Sequence, residues 1–235
     1  MKDDIGNRFK NNYEKPYRHY LTRRTPVIIR VDGQAFHTYT RYRDKPFDAD
    51  LRKVMVYAAQ AVAKRMQGCK MAYIQSDEVS FVLTDYDTLQ TQPWFGNCQN
   101  KMESSAAALM TAYFNQYNYG NLNSMLLGPA TFDARAFNVP EDEVVNYFVW
   151  RAKDWHRNSV QMLARSVFSH EQLIGANIEV QKEMLRKEGQ PWSDLARVWR
   201  YGTFLLAPQW DVWTAQPYYK DINQLWSFVD PQRRV

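Results

Sequence analysis

Thr25-Pro26-Val27-Ile28-Ile29-Arg30-Val31-Asp32-Gly33 is the stretch on which the reading of the fold turns. Its apolar and β-branched residues run nearly unbroken over 25–31, as in a strand buried on both faces, and the run stops at Asp32-Gly33. Downstream, Leu51, Val54, Met55, Ala58, Ala59, Val62 and Met66 share one face of a helix predicted over 49–67, with Gly68 as its cap. Two short strands follow, 71–75 and 79–84, around Ser76-Asp77-Glu78. An Ala-rich helix is predicted over 97–117 and a strand over 131–138. The order strand–helix–strand–strand–helix–strand is that of a split βαβ, ferredoxin-like antiparallel sheet with helices on one face. The fold class is therefore expected to be α+β.

Outside that unit, the first 24 residues are polar and aromatic and read as a helix or an arm, with Arg18, Arg23 and Arg24 close together. Pro140 before Glu141-Asp142-Glu143 opens a helix that should run to about residue 168, because proline suits the first turn and carboxylates offset the helix dipole. A shorter helix over 179–188 and an irregular, Trp-rich end complete the chain. Residues 1–138 are expected to form the sheet domain with its arm. Residues 139–235 are expected to be a helical region packed on it as one compact unit.

Composition narrows the class. With 235 residues, 45% hydrophobic and 15% aromatic, the chain is neither disordered nor of low complexity. No run reaches the ~18–20 apolar residues of a membrane span. The opening residues, Met1 to Arg8, lack an apolar signal core, and Cys69 and Cys98 have no metal-type spacing. Reduced thiols and a cytoplasmic location are expected. The net charge of +5 is uneven: residues 1–53 carry +6 and 151–200 carry +3, around a middle that is net acidic. Two basic blocks of this kind suit a polyanionic partner or a solvated surface.

The chemistry-bearing residues lie at strand ends. In a split βαβ sheet the strand ending at Asp32 neighbours the one beginning at Asp77-Glu78, so three carboxylates converge on one edge. Such like charges repel unless a cation compensates them. Hard oxygen donors select Mg2+, usually with substrate phosphates, and Gly33 permits close backbone approach. This is the arrangement of two-metal phosphoryl transfer. Read locally, Asp32-Gly33 is also an ordinary turn and Ser76-Asp77-Glu78 a polar hairpin tip. No Gly-rich phosphate loop of Walker or Rossmann type is present, so nucleotide binding would rest on metals and local backbone.

The flanks carry a resemblance. Residues 30–37 (Arg-Val-Asp-Gly-Gln-Ala-Phe-His), Lys45-Pro46-Phe47-Asp48 and residues 73–81 (Tyr-Ile-Gln-Ser-Asp-Glu-Val-Ser-Phe) resemble the tRNA-histidine guanylyltransferase family. So do Trp94-Phe95 with Lys101, Phe132-Asp133-Ala134-Arg135 with Pro140, Trp150-Arg151 with His156 and Asn158, and Arg200-Tyr201-Gly202-Thr203. The resemblance implies a polymerase-palm-like catalytic domain that adds nucleotides to tRNA 5′ ends in the 3′-to-5′ direction. It implies two Mg2+ ions held by Asp32, the Gly33 carbonyl and Asp77, with Glu78 as a third catalytic carboxylate. Gln34, Ala35, Phe36, His37 and Ser76, with Asp32, Gly33 and Asp77, would contact ATP or GTP. Lys45 and Lys101 would bind phosphates, and Arg23, Arg24, Arg135, His156, Arg157 and Asn158 would face RNA. Family members suggest a homotetramer, a dimer of dimers.

Two departures bear on substrate choice. His156-Arg157-Asn158-Ser159 stands where eukaryotic members carry His-Ile-Asn-Asn, and a basic run is thinned to Gly96-Asn97-Cys98-Gln99-Asn100. Both imply broader tRNA use, including 5′-end repair. The rival readings are a palm-type nucleotide cyclase, which would need no RNA, and a tRNA-binding protein without chemistry, which the intact carboxylates oppose.

Overall fold

A computed structural model describes residues 3–230; the first two residues of the expected arm domain and the last five of the C-terminal region lie outside them. The arm begins with α1 (Asp4–Phe9), capped by Asp3, and continues through a π turn and a 3-10 turn to Tyr17 without burying a residue. The sheet unit follows as β1 (Val27–Gly33), the single turn α2 (Phe36–Tyr39), α3 (Ala49–Ala63), β2 (Cys69–Gln75) and β3 (Glu78–Leu83). It closes with α4 (Gln99–Tyr117), α5 (Leu122–Leu127) and β4 (Phe132–Asn138).

Within this unit the boundaries move for physical reasons. α3 starts where Asp48 accepts the Leu51 N–H at 2.7 Å, and it ends four residues before the expected 67. Gly68 is not its cap but the entry to β2. There φ is +79° and a Cβ would sit 2.2 Å from the Thr84 carbonyl oxygen, so only glycine fits. β1 does not stop before Asp32-Gly33 but runs through both, because Asp32 pairs with Glu78 on one side and Asp133 on the other.

The second half is α6 (Val144–Val167), unbroken after a 3-10 turn at Glu141–Glu143, then α7 (His170–Leu173), α8 (Ile178–Lys187) and α9 (Arg197–Tyr201). The segment expected to be irregular instead forms β5 (Thr203–Leu206), β6 (Asp211–Trp213) and α10 (Tyr219–Val229). The sheet is thus six-stranded and antiparallel, in the order β4-β1-β3-β2-β5-β6. Its first four strands are those of the split βαβ unit.

Strand alternation divides the core. Val27, Ile29 and Val31 with Phe81 face α3 and α4, where Met55, Ala59, Met110 and Phe114 fill one apolar cluster. Ile28, Met71, Tyr73 and Val82 face the opposite side and are covered by α6 and α10 through Phe148, Ile222 and Trp226. The far half of α6 packs on α8 through Leu163 and Leu185, beside Trp192 and Tyr201. Trp94, Trp155, Trp192, Trp210 and Trp226 are buried, whereas Trp150 and Trp213 are about half exposed.

Candidate active site

Antiparallel register sets a row of polar side chains across four strands on the α6 face. Asp133, Asp32, Glu78 and Gln75 are successive cross-strand partners on β4, β1, β3 and β2. Directly opposed side chains have Cβ atoms about 5 Å apart, and like charges so placed destabilise each other. Burial, with the charges of Glu78 and Asp133 added, raises the Asp32 carboxyl above its ordinary value. Asp77 lies at the hairpin tip between β2 and β3. Its carboxyl is pushed up to about 6, chiefly by burial, with the Ser76 hydroxyl opposing and the charges of Asp32 and Glu78 adding.

Glu78 behaves differently from Asp77. Its carboxylate accepts two hydrogen bonds from the Arg151 guanidinium, at 2.8 and 2.6 Å, and one from the Gln75 amide at 3.0 Å. Arg151 also donates to Asp154 at 3.2 Å. Among the described residues no group of three or more His, Cys, Asp or Glu side chains is arranged to hold an ion. Glu78 pairs with Arg151 and Asp133 with Arg135 at 4.0 Å, which leaves Asp32 and Asp77 without an ion pair among the described residues, with the Gly33 backbone beside Asp32. A Cβ on Gly33 would lie 2.2 Å from the Phe36 ring, so the strand end closes onto α2 only with glycine. Ala35 and Ser76 have φ of 51° and 49°, strained for non-glycine residues, and both flank this point.

A cavity of about 530 Å³ opens beside Asp77, within the size range of small-molecule sites. Ser76 and Asp77 form one wall, and His37 and Lys45 form another. Phe47 stacks on Trp199 with ring centroids 5.1 Å apart, and Arg52 lies 5.9 Å above Trp199 while donating to the Thr203 hydroxyl at 3.2 Å. Arg43 is buried, held by Asp48 and by the Asn118 carbonyl oxygen at 2.6 Å, and Arg165 reaches the cavity from α6.

Of the residues singled out by sequence, Phe36, His37, Lys45, Ser76 and Asp77 line this cavity. Phe36 keeps most of its ring in the core against Phe114 and Phe132. Asp32, Gly33, Gln34 and Ala35 lie on the adjoining strand end, where Gln34 is tied to Thr131 through backbone and side chain. Lys101 is not brought to the cavity: it is on the first turn of α4, whose other end packs Phe114 on Phe36. Arg23 and Arg24 sit at the opposite end of the sheet, bound to Asp85. Arg135 is exposed on edge strand β4, next to Asp133 and opposite Arg30. His156 packs against Trp192 at 4.5 Å, Arg157 pairs with Asp154, and Asn158 is half-buried. Arg43, Arg52, Trp155 and Trp199 are cavity residues that the sequence reading does not reach. Arg151 and Arg200-Tyr201-Gly202-Thr203 did lie in the family-like segments, which was the one available signal.

A palm-like antiparallel sheet with paired carboxylates beside a nucleotide-sized cavity defines a class, the palm-type nucleotidyltransferases. Residues 7–140 match the family described as "Thg1: tRNAHis guanylyltransferase". The chain belongs to that family and is a nucleotidyltransferase. It is similar to a bacterial tRNA(His) guanylyltransferase (Thg1)-like protein solved in complex with ATP, at 38% identity and a TM-score of 0.86, covering 96% of this chain and 97% of that one. A bacterial Thg1-like protein in complex with GTP gives 39% identity and a TM-score of 0.76 over 87% of this chain and 84% of the other. An Arabidopsis thaliana protein named tRNA(His) guanylyltransferase 2 is 28% identical over 85% of this chain, which spans 39% of that relative's length.

Proposed function

We propose that this chain is a Mg2+-dependent nucleotidyltransferase that adds nucleotides to the 5′ end of tRNA in the 3′-to-5′ direction, after ATP or GTP has activated the 5′-phosphate. The observation that carries the reading is the pair Asp32 and Asp77, which has no ion-pair partner among the described residues and adjoins a cavity rich in cations and rings. Two carboxylates and a backbone carbonyl are hard oxygen donors, the number that suits Mg2+ bound jointly with substrate phosphates. When bound, the ions neutralise developing phosphate charge and lower the pKa of an attacking hydroxyl.

The chain's own residues supply the rest. Lys45, Arg43, Arg52 and Arg165 place positive charge around a triphosphate, and the Phe47–Trp199 stack offers a surface for a base. In activation, a 5′-phosphate oxygen of the tRNA attacks the α-phosphorus of ATP and pyrophosphate leaves. In transfer, the 3′-hydroxyl of the incoming nucleotide attacks the activated 5′-phosphate, AMP leaves and the hydroxyl proton passes to solvent. No protein nucleophile is required, since these steps depend on positioning and charge.

The similar bacterial proteins bound to ATP and to GTP support both nucleotides as substrates. The departure at His156-Arg157-Asn158-Ser159 favours 5′-end repair of several tRNAs over tRNA-histidine alone. Residues 1–138 would be the catalytic part, with 139–235 packed on it as one unit, a reading that β5 pairing with β2 supports. The same proposal includes a cytoplasmic location and a homotetramer. The stripe Ile5, Phe9, Tyr13 and Tyr17, each more than half exposed on the arm, supports assembly.

The test is incubation with Mg2+, ATP, GTP and a tRNA lacking its first 5′ nucleotide. Label should enter at the 5′ end, and Asp77→Ala should lower the rate at least about 100-fold. A wild-type protein that binds tRNA yet adds no nucleotide sinks the reading.

A further inference from the structure

The strongest ion pair in the site lies outside the cavity. Glu78 is 8% and Arg151 7% exposed, and the guanidinium grips both carboxylate oxygens. The Gln75 amide and, more distantly, the Ser80 hydroxyl complete the shell of Glu78. On its other side Arg151 is anchored by Asp154, which Arg157 holds in turn, and its guanidinium stacks 4.6 Å above Trp150. Glu78 is at once the chain neighbour of Asp77 and the cross-strand partner of Asp32.

We propose that Arg151 is a positioning residue for the metal-binding pair: by occupying both oxygens of Glu78 it keeps Glu78 from ligating, offsets part of its charge and pins the Asp77 hairpin and the Asp32 strand to α6. The inference rests on the function proposed above. Without Arg151, a buried carboxylate would stand uncompensated between the two ligands. It would repel both or swing toward the ion, and either outcome spoils the site's geometry. α6 also bears Trp155, Met162 and Arg165 on the cavity wall, so the same clamp fixes that wall against the carboxylates.

The experiment compares Arg151→Met, Arg151→Lys, Glu78→Gln and the double variant Arg151→Met/Glu78→Gln. Mn2+ affinity is measured by paramagnetic resonance with a non-hydrolysable ATP analogue, alongside 5′-addition kinetics and thermal melting. Arg151→Met should weaken Mn2+ binding and lower kcat by about 10- to 100-fold, with KM for ATP within about threefold, since outer-shell partners act at this scale. The double variant should recover at least about tenfold of both losses, because a neutral amide no longer needs a cation. Arg151→Lys should fall between, having one donor nitrogen where the guanidinium fork presents two to the two Glu78 oxygens. Should Arg151→Met fail to fold, the double variant and Arg151→Lys carry the same comparison. Mn2+ affinity and kcat within twofold of wild type in folded Arg151→Met would overturn the proposal. So would a double variant no better than Arg151→Met. A wild type that binds Mn2+ with the analogue yet adds no nucleotide defeats the proposed function instead, and the Mn2+ series still decides the role of Arg151.

Discussion

Ser80 and Phe81 are neighbours on β3, and they look into two different solvents. Phe81 points toward α3 and α4, into a cluster of buried aliphatic and aromatic side chains. Ser80 points toward α6, where its hydroxyl meets the Tyr147 hydroxyl at 2.8 Å and the strand ends in Glu78 and Arg151. The α3/α4 face is apolar from Val27 to Val31. The α6 face passes from Ile28 and Val82 through Ser80 to the carboxylate row. One face thus supplies cohesion, which is tolerant of detail. The other supplies a low-dielectric setting in which pairing decides the energy, because an unpaired buried group costs far more than a paired one returns.

The contrast can be broken by experiment. Phe81→Ala should lower the unfolding free energy by about 3–5 kcal/mol, the cost of lost burial plus a cavity, read from the urea midpoint. Ser80→Ala should cost about 1–2 kcal/mol by the same assay, since it leaves the Tyr147 hydroxyl without its partner. If Ser80→Ala matched Phe81→Ala, the two faces would not differ in kind.

A smaller effect belongs to pH. Burial against Trp192, with Lys182 nearby, lowers the His156 pKa below its ordinary value. The native state therefore binds this proton less readily than the unfolded chain does. The contribution of His156 is full above the ordinary histidine pKa near 6.5 and is lost as pH falls through the depressed value. Melting temperatures at pH 7.5 and pH 5 should differ less in His156→Gln than in wild type. An unchanged difference would show that the ring titrates freely in the native state.

The elements legible in the sequence were those with a sustained period or a punctuating residue. β1 to β4, α3, α4 and α6 agree with the sequence reading to within a few residues, because an apolar or Ala-rich run marks most of them and the Pro140 start marks α6. β5 was missed because Thr203–Leu206 is four residues long and wholly buried, a length at which periodicity decides nothing. β6 was missed because its three residues are exposed. The cavity residue Trp199 is illegible for another reason, since nothing in its own segment marks a tryptophan as part of a site that forms around Asp77.

By itself the sequence determined the alternation of strands, the split βαβ order and the meeting of Asp32 with the Asp77-Glu78 turn. These follow from local period and from topology. Only the tertiary structure decided that Asp77 and Glu78, adjacent carboxylates of nearly equal chemistry, meet different surroundings. Asp77 turns outward at the tip toward a cavity, while Glu78, one residue on, enters the strand and meets Arg151, 73 residues away. Strand alternation fixes the side to which Glu78 points, but the countercharge that waits there comes from the packing of α6 across the sheet, which no local pattern encodes.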